Sequence, residues 1–135
     1  MYTHKVQYYE TDKMAVAHHS NYIRWMEEAR IDFLDNAGWS FAVLEEQGII
    51  SPVVSVNCSY KTPVRFGDTV YIDTRIEEYR GVRLKFAYTM RNADGKIAAE
   101  AHSEHCFVNS DGRPIRVASV HPELHAALLE MCADK

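Results

Sequence analysis

Cysteine is scarce and unpatterned in this chain. Cys58, Cys106 and Cys132 are odd in number and far apart, form no metal or redox motif, and point to free thiols in a reducing cytoplasm. No apolar run approaches the roughly 20 residues that a membrane span requires, and the opening "MYTHKVQYYE" lacks the apolar core of a secretory leader. Positive charge is not in excess: 15 Lys and Arg stand against 19 Asp and Glu, a formal charge of -4. That balance argues against nucleic acid as a partner, because phosphate neutralisation wants a clustered basic surface. Internal repeats, low-complexity stretches and linkers are also missing. The 135 residues therefore read as a single domain, 1-135.

What is present is one helical pattern followed by a series of strand patterns. Tyr22, Met26, Ala29, Phe33 and Ala37 recur at helical spacing, joined by Trp25 and Leu34. Glu27, Glu28, Arg30 and Asp32 fall largely on the other side. The spacing predicts a helix over 21–37, capped by Ser20 or Asn21 and stopped at Gly38. After a loop or short helical piece, the period changes to two in "VSVNCSYK", "VYIDTRIE" and "VRLKFAYTM". "KIAAEAHSEHCFV" makes a further run, and turn signals separate all four. With a strand around residues 2–9, five strands result, and a last helix begins at Pro122. Short connections imply an antiparallel meander covered on its apolar face by the long helix, an α+β domain. One helix cannot cover every apolar side chain in these runs, so a dimer is expected.

The chemistry gathers where the first strand gives way to the helix. Asp12 lies just ahead of a helix N-terminus, where unpaired N–H groups and the helix dipole favour negative charge. Such an end can polarise a carbonyl and hold the charge that develops on it, while a nearby carboxylate attacks the carbon or activates water. His19 could donate a hydrogen bond, position the water or pair with Asp12. Surface solvation and helix-end electrostatics are the alternative roles for Asp12.

The stretch "YYETDKMAVAHHSNYIRWMEEAR" resembles the signature of hotdog-fold acyl-CoA thioesterases of the hydroxybenzoyl-CoA thioesterase-like, YbgC-like family. Glu10, Thr11 and Asp12 match its start, His19 and Tyr22 fall in register, and Glu28-Ala29-Arg30 completes it. The family pattern has a glycine at or just before Ala15, where this chain reads "DKMAV". The resemblance implies a hotdog fold: a five-stranded antiparallel sheet wrapped around one long central helix, plus a short C-terminal helix. It implies hydrolysis of a small or medium acyl-CoA, with coenzyme A as part of the substrate and no separate cofactor. An acyl-carrier-protein thioester is the other possible substrate. Asp12 takes the place of the catalytic aspartate, as nucleophile or general base, and His19 that of the site histidine, its N–H facing the thioester carbonyl. Tyr22 lines the acyl pocket or supports the helix start. Arg80, Arg83 and Lys85 in "YRGVRLKF" are placed to meet the CoA phosphates. The resemblance further implies a homodimer or homotetramer with sites at the subunit interface.

Seven histidines raise the question of a metal, and their spacing argues against one. His102 and His105 point to opposite faces of a strand, His121 and His125 have no completing glutamate, and His18 should face away from His19. Two other functions remain open: a non-catalytic acyl-binding protein on the same fold, and an acyl-thioester hydratase or dehydratase, whose usual histidine patterns are missing.

Overall fold

The computed structural model describes residues 1–133. The elements run β1 (Tyr2–Lys5), a 3-10 turn (Tyr8–Glu10), α1 (Ser20–Asn36), α2 (Phe41–Glu46), β2 (Val53–Tyr60), β3 (Thr69–Tyr79), β4 (Arg83–Arg91), β5 (Ile97–Cys106), α3 (Val117–Val120) and α4 (Pro122–Ala133). The strands make one antiparallel sheet in the order β1-β3-β4-β5-β2.

That order departs from a simple meander. β3, β4 and β5 follow one another, but β2 leaves its sequence neighbour and pairs with β5 at the far edge, Val56 opposite Ser103 and Cys58 opposite Ala101. Residues 61–68 make the crossing. Extended, they reach about 25 Å, whereas three strand spacings need only about 14 Å. A short connection therefore does not enforce adjacency here. The crossing segment is tied down along its path. Lys61 N–H donates to Ala98 O at 2.8 Å, Ala17 N–H to Val64 O at 2.8 Å, and Val6 N–H to Asp68 O at 2.9 Å.

The N-terminal strand is shorter than its composition predicts. It ends at Lys5 because Glu10 reaches back to accept the Gln7 N–H at 2.8 Å, and the chain turns there. α1 starts one residue earlier than predicted, and its cap differs too. Neither Ser20 nor Asn21 caps it; instead the His18 ring accepts the Ser20 N–H at 3.2 Å, and the Asn21 amide donates back to Glu10 O at 2.8 Å. At the other end Gly38, at φ 88°, lets the Trp39 N–H reach Leu34 O at 2.8 Å.

α1 buries Tyr22, Trp25, Met26, Ala29, Arg30 and Leu34. Arg30 is a correction: placed by its charge on the outer side of the helix, it lies one position from Ala29 on the buried side and is 5% exposed. The apolar cover is shared. Leu34 of α1, Phe41 and Leu44 of α2, and Leu124 and Leu128 of α4 enclose one apolar pocket over Leu84 and Phe107. No helix among the described residues is long and apolar enough to cross a membrane.

Candidate active site

The loop between the 3-10 turn and α1 is built from the backbone outward. Thr11 bridges Ala17, the Asp12 N–H donates to Val16 O at 2.9 Å, and the Ala15 N–H donates to Asp12 O at 3.0 Å. Asp12 Oδ1 accepts the Met14 N–H at 2.8 Å. The tightness of this turn forces Ala15 to φ 65°, the only left-handed non-glycine residue among those described. So the conformation that a glycine would supply is kept without the glycine, at a cost of about 1–2 kcal/mol.

A buried carboxylate anchors the loop. Glu10, 4% exposed, receives His4 Nε2 at 2.9 Å, the Gln7 N–H at 2.8 Å and the Trp25 indole N–H at 2.9 Å. Burial alone would raise its pKa, but the hydrogen bonds from Gln7, His4 and Trp25 outweigh it and hold the group below its ordinary value. Its own carbonyl accepts the His18 N–H at 2.8 Å. β1, the loop and α1 are thus pinned at one residue. Sequence reasoning used Glu10 only as the start of a motif; the paired signal was an acidic residue spaced from a Trp on a buried helix face.

His19 forms the helix N-cap, with φ −56° and ψ −29°. Its carbonyl accepts the Tyr22 N–H at 3.2 Å and the Tyr60 hydroxyl at 3.3 Å, while its own N–H has no acceptor among the described residues. Because His19 already has helical torsions, its ring does not diverge from that of His18; the two centroids lie 4.1 Å apart. This corrects the expectation that His18 faces away.

Asp12, His19 and Tyr22 line one cleft of about 250 Å³, with Tyr60, Lys61 and Pro63 on its other wall. Tyr22 is buried, edge-on to Tyr60 at 4.9 Å, and its phenol is pushed up to about 12, by burial first and then by Cys58 and Tyr60. It stays a neutral wall. Tyr60 was missed because nothing local links it to Asp12; only the placement of β2 brings it there.

The sequence profile of the thioesterase-like superfamily matches residues 6–128. The chain belongs to that superfamily. The Bacillus subtilis protein YneP is 36% identical over 124 residues, covering 91% of this chain and 90% of that one. The protein of Escherichia coli O6:H1 named acyl-CoA thioester hydrolase YbgC is 30% identical over 97 residues, covering 72% of each. A crystal structure of a DHNA-CoA thioesterase from Staphylococcus aureus superposes with a TM-score of 0.94 at 35% identity, over 98% of this chain and 89% of that one. The fold is that of the hotdog thioesterases.

Against this thioesterase frame, the three basic residues stand apart from the cleft. Arg80 Nη2 lies 2.6 Å from Glu78 Oε1, Arg83 Nη1 lies 3.1 Å from Glu104 Oε2, and Lys85 Nζ lies 3.2 Å from Glu78 Oε2. They sit around the β3–β4 hairpin, each already paired. The remaining histidines disperse: His102 meets Glu77 at 2.9 Å, His105 is buried on the opposite face, and His125 meets the Tyr79 hydroxyl at 2.7 Å. Among the described residues no three His, Cys, Asp or Glu side chains gather closely enough to hold a metal ion.

Proposed function

We propose that the protein hydrolyses acyl-CoA thioesters, with Asp12 and the N-terminus of α1 as its working parts. One observation carries the reading: Asp12 and His19, whose main-chain N–H has no acceptor among the described residues, line the same cleft. The thioester carbonyl oxygen takes the His19 N–H, which stabilises the negative charge that builds on it. Asp12 either accepts a proton from the water that attacks the carbonyl carbon or attacks that carbon itself. The carbon–sulfur bond then breaks, and CoA leaves as a thiolate that picks up a proton from solvent; where Asp12 itself attacked, water next cleaves the acyl–Asp12 anhydride, releasing the acid and restoring the carboxylate.

The activity named for YbgC and for the Staphylococcus aureus neighbour supports the same reading. β2 is an edge strand with Val53, Val54, Val56 and Tyr60 exposed, which fits a homodimer formed along it, with the cleft completed by the partner. In this arrangement the sheet wraps α1 as the central helix. Lys61, which lines the cleft, is better placed for the CoA arm than Arg80, Arg83 or Lys85, which would first have to exchange their glutamate partners. Three free cysteines fit a cytoplasmic setting.

Thiol trapping over short, medium, long and aromatic acyl-CoAs tests the proposal. Asp12→Ala is expected to lower thiol release by at least about a hundredfold with folding intact. His19→Ala should lose less, because its main-chain N–H remains. Full activity in Asp12→Ala removes that residue from the mechanism. No release from any thioester by the unmodified protein favours non-catalytic acyl binding.

A further inference from the structure

The middle of α1 carries a cation into the interior. Arg30 lies about 16 Å along the helix from His19 at 1.5 Å per residue. It pairs with no carboxylate among the described residues, and its buried Nη1 has no acceptor. Its Cζ sits 4.8 Å from the centroid of Phe41, a contact that covers one face of the guanidinium but leaves its N–H groups to be satisfied elsewhere. A buried guanidinium with no counter-charge is costly, and arginine does not escape the cost by losing its proton.

Arg30 borders a cavity of about 270 Å³ together with Met26, Val56, Tyr88, Ser103 and His105. The polar floor of that cavity is a chain of neutral groups. Tyr88 Oη lies 2.7 Å from Ser103 Oγ, and Ser103 Oγ lies 2.8 Å from His105 Nε2. Burial, then the charge of Arg30, pushes His105 down to about 4, so the ring is uncharged at neutral pH. Burial likewise pushes Tyr88 up to about 12. Nothing on this floor balances the guanidinium. Glu27, an exposed residue of the lining, acts on the guanidinium through its charge but forms no ion pair with it, and Arg24 adds a second cation to the same lining.

The cavity is continuous in direction with the Asp12 cleft. Val56 and Tyr60 share a face of β2, about 13 Å apart at 3.3 Å per residue, and Tyr22 and Met26 are one turn apart on α1. The cleft holds Tyr60 and Tyr22; the cavity holds Val56 and Met26. The two share no lining residue, but they follow one another along α1 and β2 in the same direction. We propose that this cavity is the far end of the acyl site, and that it receives acyl groups bearing a carboxylate or other oxygen acceptor remote from the thioester, held by Arg30, Tyr88 and Ser103. The proposal rests on the thioesterase reading and gives that site its substrate class.

The test pairs plain alkanoyl-CoAs with ω-carboxyalkanoyl-CoAs of equal length, across a length series, with thiol release from the purified protein as the readout. At the matching length, the carboxylated member should show a kcat/KM about ten- to a hundredfold higher, the worth of a charge-assisted hydrogen bond. In Arg30→Met that ratio should fall to within about twofold, and Arg30→Lys should recover part of it. Equal rates for both members at every length overturn the proposal, and so does an Arg30→Met enzyme that slows both members alike with the ratio intact. If Arg30→Met does not fold, Ser103→Ala serves instead: a reduced ratio supports the site, and an unchanged ratio overturns it. Should the unmodified protein release no thiol at all, the thioesterase reading fails separately. Calorimetry with the free dicarboxylic and monocarboxylic acids then decides the cavity: tighter binding of the dicarboxylic acid supports it, and equal or no binding overturns it.

Discussion

The indole N–H of Trp25 donates to Glu10 Oε2 at 2.9 Å, wholly buried, and this bond fastens the Asp12 loop to the helix whose N-terminus it faces. The placement of that loop against the helix start is thus held by two residues that do not line the cleft.

Replacing Glu10 tests that role. Glu10→Gln keeps the shape but loses the charge that three donors converge on, and should cost about 1–3 kcal/mol in denaturant unfolding. The pH dependence has a definite sign. Glu10 has a folded pKa below its ordinary 4.5, so its stabilisation is present above about pH 4.5 and is lost as pH falls through the lower folded value. Glu10→Gln should flatten the acid limb of the stability profile; an unchanged limb assigns acid sensitivity elsewhere.

Ala15 holds φ 65° in a turn that Asp12 itself closes. Ala15→Gly should relieve about 1 kcal/mol of backbone strain, partly offset by the greater freedom of glycine in the unfolded chain. We expect Tm to rise by up to a few degrees. Ala15→Val should lower it clearly, and equal melting of all three proteins would show that the turn relaxes freely.

The Arg83–Glu104 pair joins an exposed guanidinium to a half-buried carboxylate, and Arg83→Ala should change stability by no more than about 1 kcal/mol. Its functional effect separates two roles. Phosphate binding predicts a severalfold rise in KM for acyl-CoA, with no change for the same acyl group on pantetheine. Equal KM for both thioesters would leave Arg83 a surface ion pair with Glu104.

Val54, 45% exposed on the free edge of the sheet, tests the dimer. Val54→Lys places a charge where the proposed partner strand would lie. Sedimentation equilibrium should show the mass fall to that of one chain, with thiol release falling alongside it. An unchanged mass places the interface elsewhere.

Much of the site was legible because it is local. Asp12, His19 and Tyr22 lie within a dozen residues, and the loop-to-helix junction that unites them follows from a strand signal, a polar break and a helical period. The helix itself was readable from Tyr22, Met26, Ala29 and Leu34. The alternation expected of His18 and His19 holds only in extended backbone, and the N-cap His19 already has helical torsions.

Arg30 and Tyr60 show where local reading ends. A charged residue between apolar positions is ordinarily placed outward, and only the packing of α2 and the sheet against that side of α1 buries Arg30 beside Phe41. Likewise the strand pattern of β2 tells which of its residues share a face, but not which strand it joins.

The amino-acid order alone determined the long helix, the four later strands, the C-terminal helix and the carboxylate ahead of a helix start, since these depend on torsional preference and short-range spacing. The tertiary structure decided which edge β2 occupies, that Tyr60 lines the cleft and that the Arg30 guanidinium is buried against Phe41. Those outcomes depend on which apolar faces meet, and a connection of eight residues, long enough to pass three strand spacings, does not announce the answer in advance.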